Sequence, residues 1–381
     1  MTSPIPEQSD IAVIGGGIIG LAVAFELSRR GKRVLVLERD LVGRAATWAS
    51  AGMLASVSEA EGEEAPLLDL AAETQRLYPD FIAAVEKASG LSCGYRREGT
   101  LFLALGRDDE LDLDHLRAAQ AARGLVSHHL TAEEVFAKEP QVSGWVTGGL
   151  FAPDDHQVDP RSFALALAEG TRNLGGTIIE NAAVTGLDVQ AGRVRGMTVN
   201  SAGHDVAVRC DAAVLAAGAW STVEFPALET ASRVRPVKGH TVRVRGPRLI
   251  SHVIRTPEVY IVPRANGEIV IGATSEEKGF DPTPQAGAVM DLLRRAWRAL
   301  PGIYDLEFVE VATGFRPMTR SHLPMLGALR QDGAFIATGH GRHGVFLAPV
   351  TAMLMADLIV DGKTQDLLTH FLPLPRLAEK A

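Results

Sequence analysis

The sequence predicts a mixed α/β (α+β) fold, a Rossmann-like domain interrupted by an inserted antiparallel sheet. Three observations predict it. The apolar run 11–14 runs into Gly15, Gly17 and Gly20, then a helical pattern to Gly31, then a second apolar run, 34–37, closed by Glu38. A fully apolar stretch ending in small residues, 212–219, returns far downstream. Between the α/β pieces, 233–274 alternates apolar and polar residues around Asn266-Gly267, the pattern of antiparallel strands joined by a tight turn.

Each element has a local reason. In the first strand–helix–strand unit, Gly15 permits the tight turn, Gly17 lets a pyrophosphate approach the backbone, and Gly20 lets helix and strand pack closely. Ile18 and Ile19 open the helix, whose free N–H groups and positive dipole end suit phosphate. Glu38 stands where a carboxylate accepts hydrogen bonds from a ribose diol, with Arg39 beside it. Residues 46–54 are small enough for backbone to run against a cofactor, and include Ala46, Ser50, Gly52 and Met53. Residues 65–89 read as an amphipathic helix, 99–105 as a strand and 108–123 as a charged helix. The stretch 151–176 starts as a turn-rich loop and becomes helical at Pro160, with Asp159 as N-cap. Strands follow at 182–187 and 193–199, then the buried parallel strand 212–219, the hairpin within 233–274, a helix over 285–300, a strand over 334–338 and a helix over 344–360 that contains Pro349. The dinucleotide-binding domain is therefore expected from 1–90, 145–225 and 320–381, and the substrate-binding domain from 91–144 and 226–319.

Bulk properties narrow the function. The 381 residues carry 38 Lys and Arg against 46 Asp and Glu, a net charge of −8, which argues against nucleic acid as a partner. The longest apolar stretch, 345–360, is broken by Pro349, Thr351 and Asp357, so membrane insertion is not expected. The first ten residues lack the apolar core of a secretory signal, and Cys93 and Cys210 make neither a zinc set nor a disulfide framework; a cytoplasmic location is expected. His340 and His343 have no further ligand cluster around them, so no metal is expected. His128-His129 reads as exposed, and Asp154-Asp155-His156 as turn and cap residues.

Of the two dinucleotides sharing the first motif, FAD is favoured by the position of the glycine loop near the N-terminus, by the return of the small-residue segment Val214 to Gly218, with Ala217, and by 334–344. That last segment combines a strand, a loop with Gly341 and Gly344, and a helix start at Val345. Its positive end, placed at the N1/C2=O edge of a flavin, would stabilise the anionic reduced ring.

Together, residues 11–31, APDDHQVDPRSF, VYIVPRANGEIVIGATSE, GFRPMTRSHLPMLG and ATGHGRHGVFLAPVTAMLMADLI resemble the D-amino acid oxidase-like FAD-dependent oxidoreductases over nearly the whole chain. Within that family the chain is most similar to the glycine oxidases of thiamine (thiazole) biosynthesis. The resemblance implies a D-amino acid oxidase-type FAD-binding domain. It also implies that Arg316 grips the substrate carboxylate, that the Tyr260 hydroxyl faces it, and that Arg342 lies nearby. Val184 would meet the adenine end, and Ala46, Ser50, Gly52 and Met53 would line the flavin, as would Trp220, Gly314, His340, Gly341 and His343. Ser275 stands where methionine is common in the family, Gly341 where an aromatic is common, His343 where asparagine is common, and Ser321 where aspartate is usual. Relatives that tether flavin do so through a cysteine after the Arg-Pro dipeptide; here MTRSHLPML has none, so FAD is expected to be non-covalent. The implied reaction is oxidation of glycine and other small amines or D-amino acids (sarcosine, D-alanine, D-proline) to the imino acid or 2-oxo acid, with O2 reduced to H2O2. The alternatives are a D-amino acid dehydrogenase passing electrons to a quinone, and a flavin-binding subunit of an amine-oxidising complex. The implied partners are a small amino acid and O2, and the resemblance suggests a homo-oligomer.

Overall fold

A computed structural model describes residues 5–55, 65–221 and 233–373. Two eight-stranded sheets organise it. In the first, strand Gln8–Ile14 lies between His204–Leu215 and Val34–Leu37, parallel to both. Thr177–Ile179 extends this sheet beyond Val34–Leu37; on the other side come Ala334–Thr338 and then Met325–Ala328. Alternate residues face opposite layers, as the two-residue period of a strand requires. Ile11 and Val13 join the helical core with Ile18–Arg29, Ala65–Ser89, Pro160–Asn173 and Gly344–Asp361. Ala12 and Ile14 join a second core with the antiparallel pair Ala182–Gln190 and Arg193–Ser201. Burial on both faces explains why these strands read as unbroken apolar runs.

The strand expected over 212–219 is longer at its start and shorter at its end. It begins at His204, because residues 204–209 pair antiparallel with Arg193–Ser201 before the chain swings in beside Gln8–Ile14. It stops at Leu215, and Gly218–Trp220 forms one turn of 3-10 helix, with Gly218 at φ +53°.

The second sheet runs, in spatial order, Glu307–Met318, Arg235–Arg245, Glu268–Gly272, Tyr260–Pro263, Val253–Arg255, Thr100–Ala104, Gly148–Ala152 and His128–Thr131. Helix Ala286–Ala299 covers its apolar face. The Asn266-Gly267 hairpin forms as expected, with Gly267 at φ +82°. Three strands of this sheet were not legible beforehand, and one of them, His128–Thr131, pairs with Gly148–Ala152 at its edge. Glu307–Met318 pairs along its whole length with Arg235–Arg245. Gly148–Ala152 pairs with Thr100–Ala104 in this sheet, although residues from 145 onward were grouped with the other unit. Its glycines hide it from propensity, yet a Cβ on Gly149 would lie 2.5 Å from the Phe102 carbonyl oxygen, so this pairing demands glycine.

Among the described residues one helix, Gly344–Asp361, is long and apolar enough to cross a membrane, but it is mostly buried and packs against Ile18–Arg29 and Ala65–Ser89. Arg30 ties its end to the first helix, reaching Asp357 at 2.7 Å and the buried Glu26 at 2.9 Å. Pro349 lies in the second turn, and Asp159 caps Pro160–Asn173 through the Arg161 N–H at 3.1 Å, as expected.

Two predictions follow from packing and burial. A Cβ on Gly20 would sit 2.0 Å from the Gly15 carbonyl oxygen, so Gly20→Ala should cost at least about 2 kcal/mol in urea unfolding; a loss below about 0.5 kcal/mol would show that strand and helix can separate freely. His340 is buried, with Nε2 3.0 Å from Thr351 Oγ1, and burial pushes its pKa from 6.5 down to about 3. The unfolded chain therefore binds a proton there that the folded protein refuses. The stabilisation is complete above pH 6.5 and falls as the pH drops from there towards 3. The Tm difference between wild type and His340→Asn should shrink from pH 7 to pH 4; a constant difference would refute the buried neutral imidazole.

Candidate active site

One cavity of about 1660 Å³ runs from the glycine loop of the first sheet to the face of the second. Its first end is built by the strand–turn–helix unit. Gly15, at φ +111°, leaves no room for a side chain, because its Cβ would lie 2.6 Å from the Ala216 carbonyl oxygen. Gly17 differs: a Cβ there would meet nothing in the protein closer than Thr47 Oγ1 at 3.8 Å. The protein itself does not require that glycine, but a pyrophosphate lying against the backbone does. The helix start at Gly17 has no side-chain cap of its own, and Thr47 Oγ1 accepts from the Ile18 N–H at 3.0 Å. Glu38 is drawn towards the same turn: its Oε2 accepts from the Gly16 N–H at 2.6 Å and its Oε1 from the Asp40 N–H at 3.0 Å. Val184 and Arg39 line this end, and the Arg39 guanidinium lies 4.1 Å over the Trp220 ring. An elongated cavity, an open glycine and a helix start whose N-cap residue, Gly17, brings no side chain of its own, with an acidic residue beside it, fit FAD.

The middle of the cavity is a strap of small residues. Ala46–Ala49 forms one helical turn, packed so closely on the second sheet that a Cβ on Gly314 would lie 2.7 Å from the Ala49 Cβ. Thr241 Oγ1 donates to the Ala49 carbonyl at 3.0 Å. Arg264, fully buried, donates to the carbonyls of Ala51 and, at 3.1 Å, Val158, and to Gln157 Oε1 at 2.8 Å. Burial pushes its pKa down to about 10, which still leaves it charged at neutral pH. Gly52, at φ +69°, turns the strap under Val158, whose carbonyl oxygen its Cβ would approach to 2.1 Å.

The far end lies on the second sheet. Arg316, on strand Glu307–Met318, lays its guanidinium flat across Gly239, where a Cβ would come within 2.5 Å of Nη1. That nitrogen donates to the Thr274 carbonyl at 3.0 Å, and no carboxylate among the described residues pairs with Arg316. Tyr260 lies across Gly272 in the same way, with a Cβ there 2.4 Å from its hydroxyl. Arg255, its register partner on the next strand, also faces the cavity. The C-terminal loop closes this side. Gly341, at φ +55°, donates its N–H to the Pro317 carbonyl at 3.0 Å, and a Cβ there would strike Met318 Sδ. Exposed Arg342 donates through Nε to His343 Nε2 at 3.3 Å. His343 precedes the helix at Gly344 without capping it, so the first N–H groups, near Gly344 and Val345, open on the cavity.

Of the residues selected from the sequence, Gly15, Gly17, Ile18, Ile19, Glu38, Arg39, Ala46, Ser50, Gly52, Met53, Val184, Ala217, Gly218, Trp220, Tyr260, Gly314, Arg316, His340, Gly341, Arg342, His343, Gly344 and Val345 all line the cavity. Gly20 does not; its role lies in strand–helix packing. The departures Ser275 and Ser321 line it too. Sequence reasoning missed Thr47, Gly239, Gly272, Thr274 and Arg264. The signal available for two of them was a glycine within a strand pattern, in RPVKGHTVRVR and at the end of EIVIG, which marks close approach of another group. Among the described residues no set of His, Cys, Asp or Glu could hold a metal ion.

A family model described as FAD dependent oxidoreductase matches residues 10–358. The bifunctional protein ThiO/ThiG of Trichormus variabilis is 36% identical over 367 residues, covering 95% of this chain but 54% of its own length, so the chain spans about half of that relative. The crystal structure of glycine oxidase from Geobacillus kaustophilus superposes with a TM-score of 0.88 and 32% identity, over 98% of this chain and 100% of that one. The hydrogen cyanide synthase subunit HcnC of Pseudomonas aeruginosa is 31% identical over 388 residues, with 92% of each chain covered. By this match, and by a cavity shaped for the cofactor, the chain belongs to the FAD-dependent oxidoreductase family and is a flavoenzyme.

Proposed function

We propose that the protein is a glycine oxidase-like amino-acid oxidase. It would oxidise glycine and other small amines or D-amino acids, such as sarcosine, D-alanine and D-proline, to the imino acid, and serve thiazole/thiamine biosynthesis. The observation that carries this reading is Arg316: a half-buried guanidinium on the cavity wall, held at one nitrogen by a carbonyl and matched by no carboxylate among the described residues. Burying an unpaired cation is costly unless something arrives to pair with it. The planar fork of N–H donors suits an α-carboxylate, which it fixes in both position and orientation.

When bound, FAD would supply a hydride acceptor that O2 can reoxidise. The chain's contribution is placement. Arg316 anchors the acid group, and Tyr260, flat on Gly272, walls the same face and offers its hydroxyl to it. Arg342, at the exposed rim, adds positive charge that draws in an anionic acid group. With the acid group anchored at Arg316, the α-C–H and the amine are held within the cavity. The amine enters neutral and its lone pair drives loss of the hydride, so no protein base is needed; proximity and orientation carry the rate. Water then converts the imine: glycine, O2 and H2O yield glyoxylate, NH3 and H2O2, unless a thiazole-forming enzyme takes the imine first. We also place FAD in the site without a covalent tether, since Cys93 and Cys210 are buried and neither lines the cavity.

The likeness to a subunit of hydrogen cyanide synthase supports a second reading, a flavin-bearing subunit that oxidises an amine only within a complex. An anaerobic titration of the yellow protein with glycine, sarcosine and D-alanine separates the two. Bleaching of the flavin band, with H2O2 formed on admitting air, supports the oxidase; bleaching reversed by quinone but not by air points to a dehydrogenase; no bleaching defeats the reading for this chain alone. Acid precipitation should leave the yellow colour in solution. Arg316→Ala should raise KM by the equivalent of about 2–4 kcal/mol, roughly 30- to 1000-fold; an unchanged KM would remove Arg316 from the carboxylate site.

A further inference from the structure

Strand Arg235–Arg245 turns Val237, Gly239 and Thr241 towards the cavity. Its other face carries Lys238 and His240, whose side chains are completely buried and have no part in the reaction described above. Both residues tie this strand to the segment that follows Gly272. Lys238 and Glu276 exchange backbone hydrogen bonds, each 2.9 Å, and Lys238 Nζ donates to Asp281 Oδ2 at 3.1 Å and to the Thr283 carbonyl at 2.6 Å. His240 meets Thr274 twice: its backbone N–H donates to Thr274 Oγ1 at 3.0 Å, and its ring Nδ1 lies 2.7 Å from the same oxygen. The ring also lies 3.2 Å from Glu276 Oε1. The carbonyl of Thr274 is the acceptor that holds Arg316 Nη1 at 3.0 Å. His240, Thr274 and Arg316 therefore form a continuous chain of short contacts from behind the sheet into the cavity.

We infer that His240 is a positioning residue for the substrate carboxylate, acting through Thr274 on the Arg316 guanidinium. The inference rests on the reading of Arg316 as the carboxylate receptor. Gly239 supports the guanidinium from below and the Thr274 carbonyl fixes its rotation, leaving the remaining N–H donors aimed at the ligand. Thr274 is followed by Ser275, which lines the cavity and has no regular strand to hold it, since the strand ends at Gly272. The side-chain clamp on Thr274 Oγ1 replaces the ladder hydrogen bonds that a longer strand would have supplied.

The test uses the flavin-loaded protein and two readouts. One is steady-state oxidation of glycine; the other is the Kd for acetate, read from the change it causes in the flavin absorbance, which needs no turnover. In His240→Ala both KM and the acetate Kd should rise roughly tenfold, the effect of losing one orienting hydrogen bond, with kcat within about twofold of wild type. His240→Asn, whose amide takes the place of Nδ1, should restore both. Should His240→Ala fail to hold FAD, the near-isosteric Thr274→Val, which removes Oγ1 and keeps the carbonyl, should show the same rise. If Arg316→Ala weakens acetate binding while His240→Ala and Thr274→Val leave Kd and KM unchanged, the inference is wrong and the carboxylate site stands. A fall in kcat at constant KM would also overturn it. If Arg316→Ala leaves acetate binding intact, the reading of the site itself has failed.

Discussion

The structure depends on one steric constraint, the contact of backbone on backbone where the first strand turns into the first helix. Gly20 lies against the Gly15 carbonyl and Gly15 against Ala216, so helix, central strand and neighbouring strand approach to distances that no side chain allows. Every later feature uses that approach. It points the helix start at the cavity, brings Glu38 within reach of the Gly16 N–H, and places Ala217 and Gly218 beside the same opening. A wider turn would leave the helix dipole aimed at solvent rather than at the phosphates it serves.

The second sheet is joined to this frame by polar contacts as much as by apolar ones. Arg264 reaches from the hairpin to the carbonyls of Ala51 and Val158. Arg161, at the start of Pro160–Asn173, pairs with Glu310 on Glu307–Met318 and stacks 3.5 Å over the Trp48 ring. Trp220, Phe280 and Phe315 form an aromatic cluster from the two sides, with Trp220 and Phe280 stacked at 4.9 Å. Buried guanidinium groups suit such a junction because each can satisfy several carbonyls at once in a fixed geometry. The cavity at the junction thus has one wall suited to a dinucleotide and another that carries Arg316 and Tyr260, and the strap 46–54 lies against both.

Some of this was legible in the sequence because it rests on local rules. The period of two in 260–272 with Asn266-Gly267 announced a hairpin, and Asp159-Pro160 announced a helix start; both formed as read. The glycine spacing located one end of the cavity, since glycine at those points answers a need of a few neighbouring atoms. Strand Gly148–Ala152 was illegible because its glycines carry no strand propensity, and Gly149 makes sense only against Phe102. Residues 204–209 belong to an antiparallel ladder that exists only once Arg193–Ser201 is in place.

By itself, then, the sequence determined the dinucleotide turn and the alternation of α/β and antiparallel segments, which follow from residue type and short-range spacing; Arg316 and Tyr260 were singled out by the family resemblance, and both line the cavity. Tertiary structure alone decided that Arg316 lies flat on Gly239 with its rotation set by Thr274, that Tyr260 lies on Gly272, and that Arg264 holds the strap. Each of those contacts joins segments far apart in the chain. Its energy depends on the distance and angle between groups whose relative position no local pattern encodes.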